Sequence, residues 1–247
     1  DESANNVRKL VGIDGEIKIQ VRVPNGVMQW ETVGRPDGTR PYGHPTVLSY
    51  CRHLLSQHPA DIANHKEGKT RGRFGETLTA ELDEERIAYQ KRHRAFLLLD
   101  DYSGAVRDGE QVLEILDLLS REAENSGMRG RARRQRPAAI ARLARAEAFL
   151  GIENQDLKRS IDSLTRGIER IEDCSPETNP QRSMERRTLI DLRRSLRERY
   201  NVPLTDHELL HTLKAEQQVA IAHEDYEMAA QLRDKIQIVE TRNNIGD

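Results

Sequence analysis

Apolar positions change their period along the chain. Residues 16–23, Glu-Ile-Lys-Ile-Gln-Val-Arg-Val, alternate strictly, with Ile17, Ile19, Val21 and Val23 on one side. A period of two describes a half-buried strand. Pro24-Asn25-Gly26 supplies turn chemistry, and residues 27–33 return as a second strand carrying Met28 and Trp30. Two strands are rarely stable alone, so a third strand over residues 7–13, or a helix across one face, is required. Residues 34–45 hold three prolines and three glycines, which predicts a loop. A helix over residues 46–58 follows, with Val47, Leu48, Cys51, Leu54 and Leu55 inward, and is expected to cover the strand pair. Residues 59–78 are polar and read as a linker.

From Leu82 the period becomes helical. The pattern predicts helices over residues 84–99 and 102–125, broken at Asp100-Asp101. Two more are expected over 137–150 and 156–173, broken near Gly151 to Asn154. A fifth, over 181–200, follows Pro176 and Pro180. Asp100-Asp101-Tyr102 with Ala105, and the run Ala146 to Gly151 with its following helix, resemble tetratricopeptide units. In those repeats a small residue lets paired helices pack. The second unit has Leu157 and Ser160 where the first has Tyr102 and Ala105, and His93 stands where a small residue is expected. The units are also spaced more widely than the repeat's length of about 34 residues. The expected fold is therefore mainly α, with tetratricopeptide-like hairpins. The expected division is an α+β piece over 1–60, a linker over 61–80, helical hairpins over 81–200 and a terminal hairpin over 203–241.

The terminal hairpin has the most specific pattern. Thr205 and Glu208 form a capping box after Pro203. Leu209, Leu210, Leu213, Val219, Ala220 and Ile221 give a first apolar stripe. Asp225 is placed to cap a second helix, with Glu227 favouring its positive end. Tyr226, Ala229, Ala230, Leu232, Ile236 and Val239 give the second stripe. The paired alanines permit close helix approach, and Tyr226 is expected to close one end. Arg233 and Asp234 have no partner at helical spacing, so bridges to the first helix or to a second hairpin are expected. The spacing Asp225-Tyr226-Glu227-x-Ala229-Ala230-x-x-Arg233-Asp234 resembles the UVR motif, the short helical hairpin of UvrB, UvrC, McsA and some Clp-family chaperones. The whole is similar to bacterial proteins of uncharacterised task that carry this motif. The resemblance implies protein docking through Leu209, Leu213, Tyr226, Glu227, Ala229, Ala230, Leu232, Arg233, Asp234 and Ile236. Helicase and nuclease motifs are absent, as are the zinc-binding cysteine pairs of McsA. A hairpin this small buries too little apolar surface to be secure alone.

Composition narrows the function classes. Charged residues make up 32% and aromatics 4%, which suits a hydrophilic helical protein with modest cores. A net charge of −2 creates no global field toward nucleic acid or membrane. No apolar run approaches the about 18 residues of a spanning helix, and the first residues lack a signal-peptide core. Two distant cysteines imply no disulfide framework, so a cytoplasmic location is expected. His44, Cys51, His53, His58 and His65 cluster without zinc spacing, so neither metal nor cofactor is expected. Arg129, Arg131, Arg133, Arg134 and Arg136 form the candidate site for an anionic partner, nucleic acid included. Few aromatics lie near to stack on bases. Nothing pairs a nucleophile with a base, and there is no phosphate-binding glycine loop. The expectation is a non-enzymatic adaptor. The loop around Tyr42 and His44 is the one place where a small site is sought; otherwise it is expected to wrap Trp30.

Overall fold

The computed structural model describes residues 6–57, 74–174, 180–204 and 206–245. Its chain divides into two compact units, Asp1–Arg193 and Arg194–Asp247.

The first unit opens with β1 (Val7–Val11), β2 (Ile17–Val23) and β3 (Gly26–Glu31), an antiparallel meander in that order. Of the two supports expected for the strand pair, a third strand or a covering helix, the third strand is present over Val7–Val11. Gly26 closes the second turn at φ 142°, a backbone conformation side chains rarely allow. Ile19 pairs with Trp30, and both are buried. They pack with Val7 on Ala95, Phe96, Ala105 and Ala146.

Among the described residues, the helices of this unit are α1 (Val47–Gln57), α2 (Glu76–Leu98), α3 (Tyr102–Glu122), α4 (Ser126–Glu153) and α5 (Leu157–Glu172). The next, α6 (Pro180–Tyr200), begins in it. The sheet is covered by residues of α2, α3 and α4, not by α1 as expected, because Trp30 and Ile19 find their apolar partners there. Sheet and helical hairpins thus share one core instead of standing as separate pieces. α1 docks beside α2. The buried Glu85 carboxylate accepts from the backbone N–H groups of Val47 and Leu48 at 2.8 and 3.1 Å, satisfying donors that a helix start leaves open.

Two helices begin well before their apolar period does. α2 starts at Glu76, inside the stretch expected as linker, and residues 58–73 of that stretch lie outside the described residues. Phe74 is buried and exchanges backbone hydrogen bonds with Glu122 and Glu124. α4 starts at Ser126 instead of 137. Asn125 caps it by accepting from Gly127 and Met128 N–H, and arginine is a good helix former. Pro137 lies inside this helix.

Buried polar groups fix the α2–α3 pair. Arg92 and Asp108 are both buried and meet through two bonds of 2.7 Å. Arg92 also donates to the carbonyls of Glu31 and Gly34, which ties the loop after β3 to the helices. His93 lies where a small residue was expected, and Gly109 makes the room. A Cβ at Gly109 would stand 3.5 Å from the His93 ring and 3.1 Å from Leu143.

The turns between α2 and α3 and between α4 and α5 are the same device. Asp100 and Gln155 take φ of 54° and 59°. Asp101 and Asp156 N–H then donate back to Phe96 and Gly151 carbonyls, closing the preceding helix. The same aspartates cap the next helix by accepting from Gly104 and Arg159 N–H, each at 2.9 Å. Ala105 and Ser160, four residues on, are buried in the helix pair.

Candidate docking site

The second unit holds the end of α6, α7 (Asp206–Ala222) and α8 (Tyr226–Ile245). The turn joining α7 to α8 repeats the device of the first unit. Glu224 has φ 60°. Asp225 N–H donates to the Ala220 carbonyl at 2.9 Å, and its carboxylate accepts from Met228 N–H at 3.0 Å. Ala229, four residues on, is buried. The expected cap at Asp225 is therefore present, and Glu227 lies in the first turn. The Thr205–Glu208 capping box lies outside the described residues and side chains.

A thin core holds the hairpin together. Leu213, Ala220, Ala229, Leu232, Ile236 and Val239 are buried, with Leu209 and Leu210 packed against them. Polar contacts cross between the helices. Gln217 donates to the Ala229 carbonyl at 3.3 Å, and Lys214 pairs with Glu240 at 2.8 Å. Leu209, Leu213, Ala229, Leu232 and Ile236 of the expected docking set therefore face the hairpin's own core. Of the paired alanines only Ala229 does; Ala230 is exposed.

The remaining members of that set face outward. Tyr226 is 68% exposed and does not close the hairpin end. Arg233 pairs with the adjacent Asp234 at 2.9 Å, both side chains are exposed, and among the described residues neither bridges to α7. Val219, Ile221, Met228 and Ile238 are also exposed. Val219 and Ile221 thus depart from the apolar stripe expected on α7. They flank Ala220, and successive helix residues stand about 100° apart, so the three cannot all face one partner helix. That geometry was the available signal for these outward residues. Five large apolar side chains thus lie uncovered on a short helix pair that also carries the exposed acids Glu224, Asp225 and Glu227.

The arginine run lies in the first turns of α4, and most of it serves the fold. Arg129 donates to the carbonyls of Ala123 and Glu124, and Arg133 to that of Ser120. Arg136 pairs with Asp117 at 2.6 Å and reaches Cys174 Sγ. Arg131 and Arg134 remain on the exposed side.

Tyr42 and His44 do not wrap Trp30. Tyr42, in the single turn Pro41–Gly43, stacks on Tyr50 of α1 with ring centres 4.3 Å apart and donates to Glu81. That bond pushes the Tyr42 hydroxyl above its ordinary range. His44 lies beside Tyr50 and His53. Cys51 is buried, and burial pushes its thiol up to about 12, which leaves it an inert packing group. His58 and His65 lie outside the described residues. Among the described residues no three His, Cys, Asp or Glu side chains are gathered to hold a metal ion. No helix among them is long and apolar enough to cross a membrane.

Comparison with known families bears on the hairpin alone. Residues 208–240 match the UvrB/uvrC motif. The matched stretch covers most of α7 and α8 and the turn between them, and ends at Glu240, which pairs with Lys214. The UVR motif of this chain is therefore the second unit's hairpin. No curated protein and no solved structure matches the chain.

Proposed function

We propose that this chain is a non-enzymatic adaptor that docks onto a helical partner, or onto a second copy of itself, through exposed apolar side chains of the UVR hairpin. The observation that carries this reading is the uncovered apolar set Val219, Ile221, Tyr226, Met228 and Ile238, on a hairpin whose own core is thin. Exposed aromatic and aliphatic groups of this kind supply the buried anchors of an interface. The neighbouring acids Glu224 and Glu227 would form a polar rim and select a basic counterpart. The UVR resemblance supports protein docking as the class of activity. The first unit, stiffened by its shared core and the buried Arg92–Asp108 pair, then serves as the scaffold.

The alternative, a DNA-repair accessory using the arginine run, has weaker support. Arg129, Arg133 and Arg136 spend donors on their own fold. Removal of residues 204–247 separates the two readings. Partner recovery and solution mass measured on intact and shortened chains should differ if the hairpin docks. Identical recovery and mass would refute it.

A further inference from the structure

A cleft of about 470 Å3 opens in the first unit between α2, α3, α4 and the start of α6. Its charged lining is entirely cationic among the described residues: Arg86, Lys91, Arg94 and Arg142. Arg86 is neutralised by Asp83 at 2.6 Å and also donates to Gln90. The other three differ. Lys91 and Arg94 are exposed and Arg142 is half-buried, and no hydrogen bond or ion pair among the described residues holds them. Burial, followed by the fields of Arg145, Arg86 and Arg94, holds Arg142 below the usual guanidinium value; Glu185 on α6 acts the other way. With only Arg86 ion-paired and Glu185 acting on Arg142 from α6, the crowded like charges make an anion-attracting concavity.

The rest of the lining selects among anions. Gln135 lines the cleft with an amide, which both donates and accepts and so matches a peptide backbone, and Gln90, whose oxygen accepts from Arg86, keeps its NH2 as a donor. Ile87, Leu116 and Ala138 give an apolar floor for an aliphatic side chain. No aromatic ring lines the cleft among the described residues, so unstacked bases would find no platform. We propose that this cleft binds an acidic, Asp/Glu-rich peptide segment of a protein partner. The site lies wholly in the first unit and does not depend on the hairpin.

Fluorescence anisotropy of the intact chain tests this with three probes: a short labelled Glu-rich peptide, its Gln counterpart and a single-stranded oligonucleotide. The Glu-rich peptide should bind, more weakly as salt rises, and more tightly than either other probe. Arg94→Gln combined with Arg142→Gln should weaken it by roughly tenfold or more. Lys91→Gln, at an exposed position that leaves helicity intact, should weaken it about threefold. Arg131→Gln with Arg134→Gln should leave binding unchanged. No binding by the intact chain would overturn the proposal. So would unchanged binding in the cleft variants, equal loss in the Arg131/Arg134 variant, or preference for the oligonucleotide. The cleft variants should retain hairpin-dependent association, so the two sites fail separately.

Discussion

The α2–α3 turn and the α7–α8 turn are built alike, yet the helices they join meet different surroundings. Both turns set a non-glycine residue at positive φ, Asp100 and Glu224, and then an aspartate that closes one helix and caps the next. Both place a buried alanine four residues on, Ala105 and Ala229. In the first unit the paired helices pack further, onto the sheet and onto α4, and residues such as Phe96 and Leu116 are fully enclosed. In the second unit one stripe on each helix is covered and Tyr226 stays in solvent. The turn therefore specifies a helical hairpin without specifying its use. What covers the outer faces separates an enclosed hairpin from an uncovered one.

The largest expected effect breaks the scaffold side alone. Arg92→Met strands the buried Asp108 carboxylate and frees the Glu31 and Gly34 carbonyls, and should destabilise the first unit by about 3–5 kcal/mol. Chemical denaturation followed by Trp30 fluorescence reads this. The hairpin, whose core is separate, should keep its own transition, and joint loss of both would show that the two are coupled.

A pH response should also divide the regions. His93 is buried, and burial lowers its pKa; its Nδ1–H faces the Ala105 carbonyl while Nε2 has no partner. Protonating Nε2 would add an unsatisfied donor. A folded value below the unfolded one means the unfolded state takes up the proton first. Stability is then fully present above the unfolded value of about 6.5 and lost as pH falls below it, by at most about 1.4 kcal/mol per pH unit. Denaturation midpoints of the first unit between pH 7 and 5 should show this slope, and His93→Gln should flatten it. An unaltered slope in that variant would remove His93 as its source.

Smaller still are the caps. Asp101→Ala and Asp225→Ala each remove one cap, at about 1 kcal/mol. The same loss should matter more in the thin-cored hairpin. Helicity by circular dichroism and amide exchange should fall in α8 on loss of Asp225, while α3 survives loss of Asp101. Equal local responses would mean that the hairpin is as well supported as the scaffold.

These contrasts show what was legible in the residues. Strict alternation over Ile17 to Val23 marked a strand, but of its four apolar residues only Ile19 is buried, while Ile17 is exposed and Lys18 is buried in ion pairs with Asp14 and Glu31. The breaks at Asp100-Asp101 and Asp225 were readable because capping chemistry is local. The early starts of α2 and α4 were not, since their first turns are polar and apolar periodicity is blind to them. The second pair's break was placed at Gly151 to Asn154, whereas α4 runs through Glu153 and Asp156 makes the turn. Asp101-Tyr102-x-x-Ala105, Asp156-Leu157-x-x-Ser160 and Asp225-Tyr226-x-x-Ala229 share one spacing, which apolar periodicity does not register. The Arg92–Asp108 pair joins α2 to α3 across a turn, and no local pattern distinguishes it from a solvated ion pair. At the candidate site, Asp225 was legible, and so was the expected α8 stripe except for Tyr226 and Ala230, which are exposed. The outward set was not, because the apolar count alone does not give the direction each residue faces.

The outer face itself provides the most direct test. Tyr226→Ser combined with Ile238→Ser alters two exposed positions and leaves Leu213, Leu232 and Ile236 in place. Partner recovery and solution mass should be measured on the intact chain carrying these changes, with helicity checked alongside. Loss of association at unchanged helicity is the predicted result. Unchanged recovery and unchanged mass would contradict docking through the UVR hairpin.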